Sequence, residues 1–171
     1  MFLLGLVGKK QAGKDTIYEI IRQHWPNKRI IRIAFADSLK EEVAQAIGQT
    51  VPYIDNHKQN FRLILQGWGT EFRRQLSDEN YWVDKWIYKA SAANADGIIA
   101  TDVRFLNESK AIHDLGGLLW RVLRPNVITA DSHASEMEQE RIQCDETIFN
   151  DGTLSDLSLA VNIQLDKWNG I

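Results

Sequence analysis

One stretch constrains this chain more than any other: GKKQAGKDT at residues 8–16, between an apolar run (Phe2 to Val7) and an amphipathic run (Ile17 to Trp25). Gly8, Gly13 and Lys14 make the pattern G-x-x-x-x-G-K, and a strand before it and a helix after it are the context a phosphate-cradling loop requires. Glycines let the backbone turn so that successive N–H groups face one concavity. A helix opening near Lys14 adds its positive dipole end. Lys14 then offers a full positive charge to the β- and γ-phosphates, and Thr16 a hydroxyl to the α-phosphate. Asp15 follows the lysine where Ser or Thr is commoner. A carboxylate there is a charged oxygen ligand suited to Mg²⁺, and it also suits the first turn of a helix. Its charge near phosphates is best tolerated with Mg²⁺, or the ion's water shell, in between. The plainer alternative is a glycine turn with Asp15 as a helix cap. The order of strand, loop and helix favours the phosphate site.

The rest of the chain alternates strand and helix. Residues 2–8, 30–35, 97–103 and 118–123 read as strands, with a short one at 146–149. Helices are expected over 14–24, 38–47 and 108–115, and along Leu154, Leu157, Val161, Leu165 and Trp168. Residues 58–93 read as mostly helical, broken near GWGT (67–70) and near SDEN (77–80). The polar, weakly periodic stretch 126–145 reads as a loop or small lid. Such alternation implies an α/β fold, a parallel sheet with helices on both faces, whose ligands sit at the carboxyl ends of the strands.

Composition narrows the function classes. The chain has 171 residues, which suits a single domain, and 44% hydrophobic against 25% charged residues describes a globular chain rather than a disordered one. A net charge of −3 argues against a surface built for nonspecific nucleic-acid binding. Cys144 is the only cysteine, so no internal disulfide forms, which suits a reducing cytoplasm. The four histidines lack metal-ligand spacing. No apolar run approaches the roughly 20 residues of a membrane span, and no secretory leader is expected.

A phosphate loop alone fits kinases, GTPases and motor ATPases. The GTPase motif N-K-x-D is not found, and no D-x-x-G directly follows the second strand. A small-molecule kinase needs a second phosphate pocket and cations that balance charge during transfer. Candidates are Asp37 and Lys40 in FADSLK, and Arg62, Gln66, Thr70, Arg73 and Arg74 in FRLILQGWGTEFRR. Asp102 and Arg104 in TDVRF end a strand that should lie near the loop, and Arg121 and Arg124 in RVLRP adjoin the polar segment. Each has a bland alternative. Arg73 and Arg74 can be solvated helix charges, Asp102 a cap, Arg121 cover for an edge strand, and Trp68 and Trp82 core.

Taken together, GKKQAGKDT, FADSLK, LQGWGTEFRR with YWV (81–83), TDVRFLNE (101–108), RVLRP and NDGTL (150–154) resemble the phage deoxynucleoside monophosphate kinases, a branch of the P-loop nucleoside and nucleotide kinases. The matching stretches run along nearly the whole chain in family order, and that family also carries Asp directly after the loop lysine. The resemblance implies a three-layer P-loop kinase fold with an acceptor-binding helical region at about 37–93 and a lid at about 121–145. It implies Mg²⁺-dependent transfer from ATP to a deoxynucleoside 5′-monophosphate (dNMP), in the host cytoplasm if phage-encoded. Gln11, Ala12, Gly13, Lys14, Asp15 and Thr16 would hold the ATP phosphates, with Asn150 and Gly152 near the adenine. Asp37, Lys40, Arg62, Gln66, Gly69, Thr70, Arg74 and Trp82 would form the monophosphate pocket. Lys14, Asp102, Arg104, Arg121 and Arg124 would act in catalysis, with Asp15 and Asp102 as metal partners. The expected partners are small molecules, with no nucleic acid or membrane; a homodimer is compatible with the reading. The chain is short for that family, and 49–60 reads as the remainder of a larger insertion. Kinases of dephospho-coenzyme A and phosphomevalonate share the loop and the N-D-G-type turn, but the LQGWGTEFRR…YWV block points away from them. A nucleotide-binding module without turnover is the alternative from another class.

Overall fold

Five strands form one parallel sheet in the order β2-β3-β1-β4-β5. They are β1 (Phe2–Val7), β2 (Ile30–Arg32), β3 (Gly97–Val103), β4 (Leu118–Leu123) and β5 (Glu146–Phe149). The computed structural model describes residues 1–125 and 137–168. Contacts divide the chain into two compact units, one made of 1–34 with 93–171, the other Phe35–Ala92.

The first unit carries the sheet. Every residue of β1 is buried, as expected of a central parallel strand covered on both faces. Side chains alternate across it. Phe2, Leu4 and Leu6 join Ile99, Trp120, Val122 and Ile148 on one face, against Ile17, Ile20 and Ile21 of α1 (Lys14–His24) and Leu157, Val161 and Leu165 of the last helix, Leu154–Lys167. The other face receives the helix Leu106–Asp114, whose Ile112 is fully buried. Each such aliphatic side chain contributes about 1.5–3 kcal/mol by leaving water.

β1 is thus followed by a helix on one face, and β3, its hydrogen-bonded neighbour, by a helix on the other. That is a topological switch point, and the crevice at the carboxyl ends of β1 and β3 is where such sheets bind ligands. The phosphate loop leaves β1 there, and Asp102 and Arg104 leave β3.

The second unit is helical: α2 (Phe35–Ala46), α3 (Val51–Asn56), α4 (Lys58–Gln66), a π-helical stretch Gly67–Gln75 and α5 (Tyr81–Ala92). Several expectations are corrected here. The second strand stops at Arg32 and the helix begins at Phe35, not Ser38. Phe35 is buried and stacks on Trp86 at 4.7 Å, so packing draws it into the helix. Asp37 and Lys40 therefore lie on α2 rather than at a strand end. GWGT does not break the helix; the chain winds on through it in π form. Residues 51–56 of the presumed insertion remnant form α3, capped by the Thr50 hydroxyl, which accepts from the Tyr53 N–H. Of the lid expected over 121–145, residues 126–136 lie outside the described residues. The part that follows contains a 3₁₀ turn, Gln139–Arg141.

Candidate active site

The loop between β1 and α1 is braced largely through its own carbonyls. Gly13 has φ 104°, a conformation that L side chains rarely adopt. A Cβ there would also lie 2.4 Å from the Asn150 side-chain nitrogen. The glycine makes room for that contact, and Asn150 Nδ2 donates to the Ala12 carbonyl at 2.8 Å. Gln11 also has positive φ, 64°. Lys14 Nζ spans the loop, donating to the carbonyls of Gly8 at 2.6 Å and Lys9 at 2.7 Å. Arg124 Nη1 donates to the Gln11 carbonyl at 3.3 Å. Four basic side chains, Lys9, Lys10, Lys14 and Arg124, thus belong to the loop or touch its backbone. Asp15 and Thr16 are exposed on the first turn of α1. This is a concentration of positive charge at a helix N-terminus, suited to a polyphosphate.

The end of β3 is shaped by Glu108. This carboxylate, 2% exposed, accepts from the backbone N–H of Arg104 at 2.8 Å and of Phe105 at 3.2 Å. Glu138 accepts from the Leu106 N–H at 2.8 Å. Two acids at a helix N-terminus complement its dipole and fix the main chain that carries Arg104. The sequence reading quoted Glu108 but gave it no role. The usual S/T-x-x-E cue for such a cap is missing because Phe105 occupies the cap position.

Arg121, expected in catalysis, bonds the turn that precedes β5. Its guanidinium donates to the carbonyls of Gln139, at 3.3 Å, and of Ile142. Nor is β4 an edge strand, since it pairs with β1 and β5. The arginine holds the 139–142 turn against the sheet. Asn150, expected beside adenine, braces the loop. Gly152 lies one residue before a capping box in which the Thr153 hydroxyl accepts from the Asp156 N–H, and Asp156 accepts back. A Cβ at Gly152 would lie 2.6 Å from the Asp156 carboxylate. Cys144 is half-buried, and burial raises its thiol pKa, which suits a structural thiol.

Mg²⁺ usually takes one or two carboxylates together with substrate phosphates and water. Asp15 lies in the first turn of α1 and Asp102 at the end of β3, both carboxylates of the type such an ion takes. Among the described residues no cluster of three or more His, Cys, Asp or Glu could hold a metal alone. Two carboxylates suit an ion that takes its remaining oxygens from phosphate and water.

In the helical unit the expected acceptor residues fall into a pattern. Arg62, Gln66, Thr70 and Arg74 succeed one another at intervals of four along the continuous helix 58–75. In an α-helix, positions four apart drift about 40° per step. A π turn takes more residues, so the drift from 66 to 74 runs the other way. The change of helix type keeps the four side chains in one stripe. Arg62 is exposed, Gln66 and Arg74 partly buried, and Thr70 8% exposed.

Trp82 is not part of that stripe. It is 2% exposed and donates its indole N–H to the Gly69 carbonyl at 2.8 Å. The ring, expected in the monophosphate pocket, is enclosed in the packing of the helical unit. Gly69 matters for a related reason: a Cβ there would lie 2.8 Å from Leu39. Lys40 pairs with Asp55 at 2.8 Å, with Lys58 3.5 Å from the same oxygen. Partial burial works to raise the Asp55 pKa, but the hydrogen bond and charge of Lys40, joined by Lys58, outweigh it and lower the pKa. Arg73 forms an ion pair with Glu42, and its guanidinium lies 4.6 Å from the Tyr81 ring centre. Arg74 Nη1 donates to the Glu79 carbonyl at 3.3 Å. Glu42 was not foreseen; no spacing in the sequence marks it.

No helix among the described residues is long and apolar enough to cross a membrane. A family model described as deoxynucleotide monophosphate kinase matches residues 47–161. A protein of Acanthamoeba polyphaga mimivirus, provisionally named deoxynucleotide monophosphate kinase, is 28% identical over 91% of this chain and 92% of its own length. The deoxynucleotide monophosphate kinase of Escherichia phage RB69 is 27% identical over 60% of this chain and 43% of its own. Among solved structures, shikimate kinase from Acinetobacter baumannii in complex with shikimate superposes with a TM-score of 0.51 at 14% identity, covering 100% of this chain and 96% of that one. That likeness bears on the fold, a P-loop kinase architecture.

Proposed function

This chain belongs to the deoxynucleotide monophosphate kinase family, and we propose that it transfers the γ-phosphate of ATP to a dNMP, giving the diphosphate and ADP. The observation that carries the reading is the family match over 47–161, a span that includes both the helical stripe and TDVRFLNE. The acceptor oxygen belongs to a phosphate whose second pKa is about 6. It is already anionic at neutral pH, so the protein need not supply a strong general base. What remains is positioning and charge neutralisation.

In this reading the loop 8–13 cradles the donor phosphates and Lys14 carries its charge to the β- and γ-oxygens. Arg124, on the Gln11 carbonyl, adds charge at the same loop. Arg104, its main chain fixed by Glu108, answers charge at the transferring group. Asp15 and Asp102 would hold Mg²⁺, which would supply electrostatic neutralisation at the phosphates. Arg62, Gln66, Thr70 and Arg74 hold the acceptor phosphate, with Asp37 and Lys40 beside them on α2.

The test incubates the protein with Mg-ATP and, separately, each dNMP, the ribonucleoside monophosphates, dephospho-coenzyme A and phosphomevalonate. A deoxynucleoside diphosphate is expected. Product only from dephospho-coenzyme A or phosphomevalonate would move the acceptor to that class. No product from any acceptor would leave a nucleotide-binding module.

A further inference from the structure

In the helical unit one carboxylate gathers donors from two other elements. Glu42, on α2, accepts through Oε1 from Trp68 Nε1 at 3.3 Å and from Arg73, and through Oε2 from the Tyr81 hydroxyl at 3.0 Å. Trp68 and Arg73 belong to the π-helical stretch, and Tyr81 opens α5. The Glu42 side chain is 18% exposed and that of Arg73 24%, so solvent screens the pair little. The Arg73 guanidinium also lies over the rings of Tyr81 and Phe72, at 4.6 and 5.1 Å.

A nine-residue π stretch is uncommon and needs outside support, because α-helix is the default for the same residues. Its consequence can be computed. Twelve residues of unbroken α-helix would turn position 74 about 120° away from position 62. Arg74 would leave the stripe that it shares with Arg62. We infer that Glu42 is a positioning residue: by pinning Arg73 and Trp68 it holds the π winding of 67–75, which keeps Arg74 in line with Arg62, Gln66 and Thr70. The two adjacent arginines then divide their work. Arg73 is the anchor, and Arg74, which also donates to the Glu79 carbonyl, is the one set toward the acceptor. The acceptor part of this inference rests on the function proposed above; the hold on 67–75 does not.

The experiment compares Glu42→Gln, Arg73→Gln, their double variant, Tyr81→Phe and Arg74→Gln, after thermal melts establish that each is folded. Two measurements are made: KM for dNMP and for ATP separately, and amide hydrogen exchange over 67–75. Glu42→Gln and Arg73→Gln should each raise the dNMP KM roughly tenfold with the ATP KM unchanged, and both should speed exchange in 67–75. The double variant should be no worse than Glu42→Gln alone, since that substitution already breaks the Arg73 contact. Tyr81→Phe, which loses only the bond to Oε2, should shift both readouts in the same direction by less. Arg74→Gln should raise the dNMP KM without altering exchange. Unchanged exchange in a folded Glu42→Gln protein would overturn the inference, as would additive effects in the double variant. Should the parent phosphorylate no dNMP, the function reading fails, while exchange still decides whether Glu42 holds the stretch.

Discussion

At the phosphate loop, the bonds that hold the shape end on main-chain carbonyls: Lys14 on Gly8 and Lys9, Arg124 on Gln11, Asn150 on Ala12. Across 35–92 the corresponding bonds run between side chains and converge on Glu42, or onto Gly69 from Trp82. The loop's path is set by glycine, by its place at the end of a buried strand and by the sheet beneath. Replacing one of its charged side chains removes charge without removing the path. In the helical unit the side chains themselves carry the geometry, so a substitution there moves other residues. The contrast separates variants that lose chemistry from variants that lose shape.

The largest expected effect is Lys14→Ala. It should lower kcat by about 10²–10³, as the loss of one preorganised transition-state donor does, with a melting temperature near that of the parent. Lys14→Arg should rescue only part, because a planar fork does not replace a compact ammonium. Steady-state kinetics beside calorimetric melting test this. A large fall in melting temperature with little change in kcat would place Lys14 with the structural residues and dissolve the contrast.

Trp82→Phe probes the other side. It keeps a buried ring but leaves the Gly69 carbonyl without the indole donor, at a cost of about 1–3 kcal/mol. Denaturant unfolding should report that loss, and the dNMP KM should rise more than the ATP KM. An unchanged midpoint would mean that the π stretch does not depend on this bond.

Asp15→Asn sharpens the account of the loop. The amide keeps the shape but lacks the charge; the cap of α1 is Gly13, so no capping bond is at stake. Half-maximal rate should need several-fold more Mg²⁺, and metal-free ATP should bind more tightly than to the parent, because an anion facing the phosphates is gone. A Mg²⁺ titration with calorimetry of metal-free ATP binding checks both. Unchanged curves would leave Asp15 only as an acid in the first turn of α1.

The smallest effect concerns Lys40 and Asp55. Because the folded pKa of Asp55 is lowered, the pair's contribution to stability is present above the unfolded value of about 3.9. It is lost as pH falls through the lower folded value. The Asp55 side chain is 36% exposed, so the contribution is about 1 kcal/mol or less. Asp55→Asn should therefore reduce stability at pH 7 slightly and flatten its decline below about pH 4. If the variant shows the same acid limb as the parent, Asp55 is not the group that titrates there.

Much of the sheet unit could be read along the chain. Apolar runs, glycine punctuation and the loop pattern are local signals, and they located α1, β3, β4 and β5 with the observed bounds. The helical unit was read less well. Two glycines in GWGT signal a break by propensity, yet Leu39 needs the space at Gly69 and Trp82 needs its carbonyl. Both partners lie more than ten residues away. The bonds of Arg121 and Asn150 are illegible for a similar reason: their partners, Gln139, Ile142 and Ala12, are set by how strands and loops meet.

What the sequence determined by itself was therefore the order of the parallel α/β elements and the phosphate loop, because periodicity and glycine spacing act over a few residues. Tertiary structure alone decided which charges are held and which are offered. It turned Arg73 to Glu42, buried Trp82, tied Arg121 to a turn and wound 67–75 so that Arg74 follows Arg62. Those outcomes depend on which atoms come within about 3 Å of one another after folding, and a distance of that kind between remote residues is written in no local pattern.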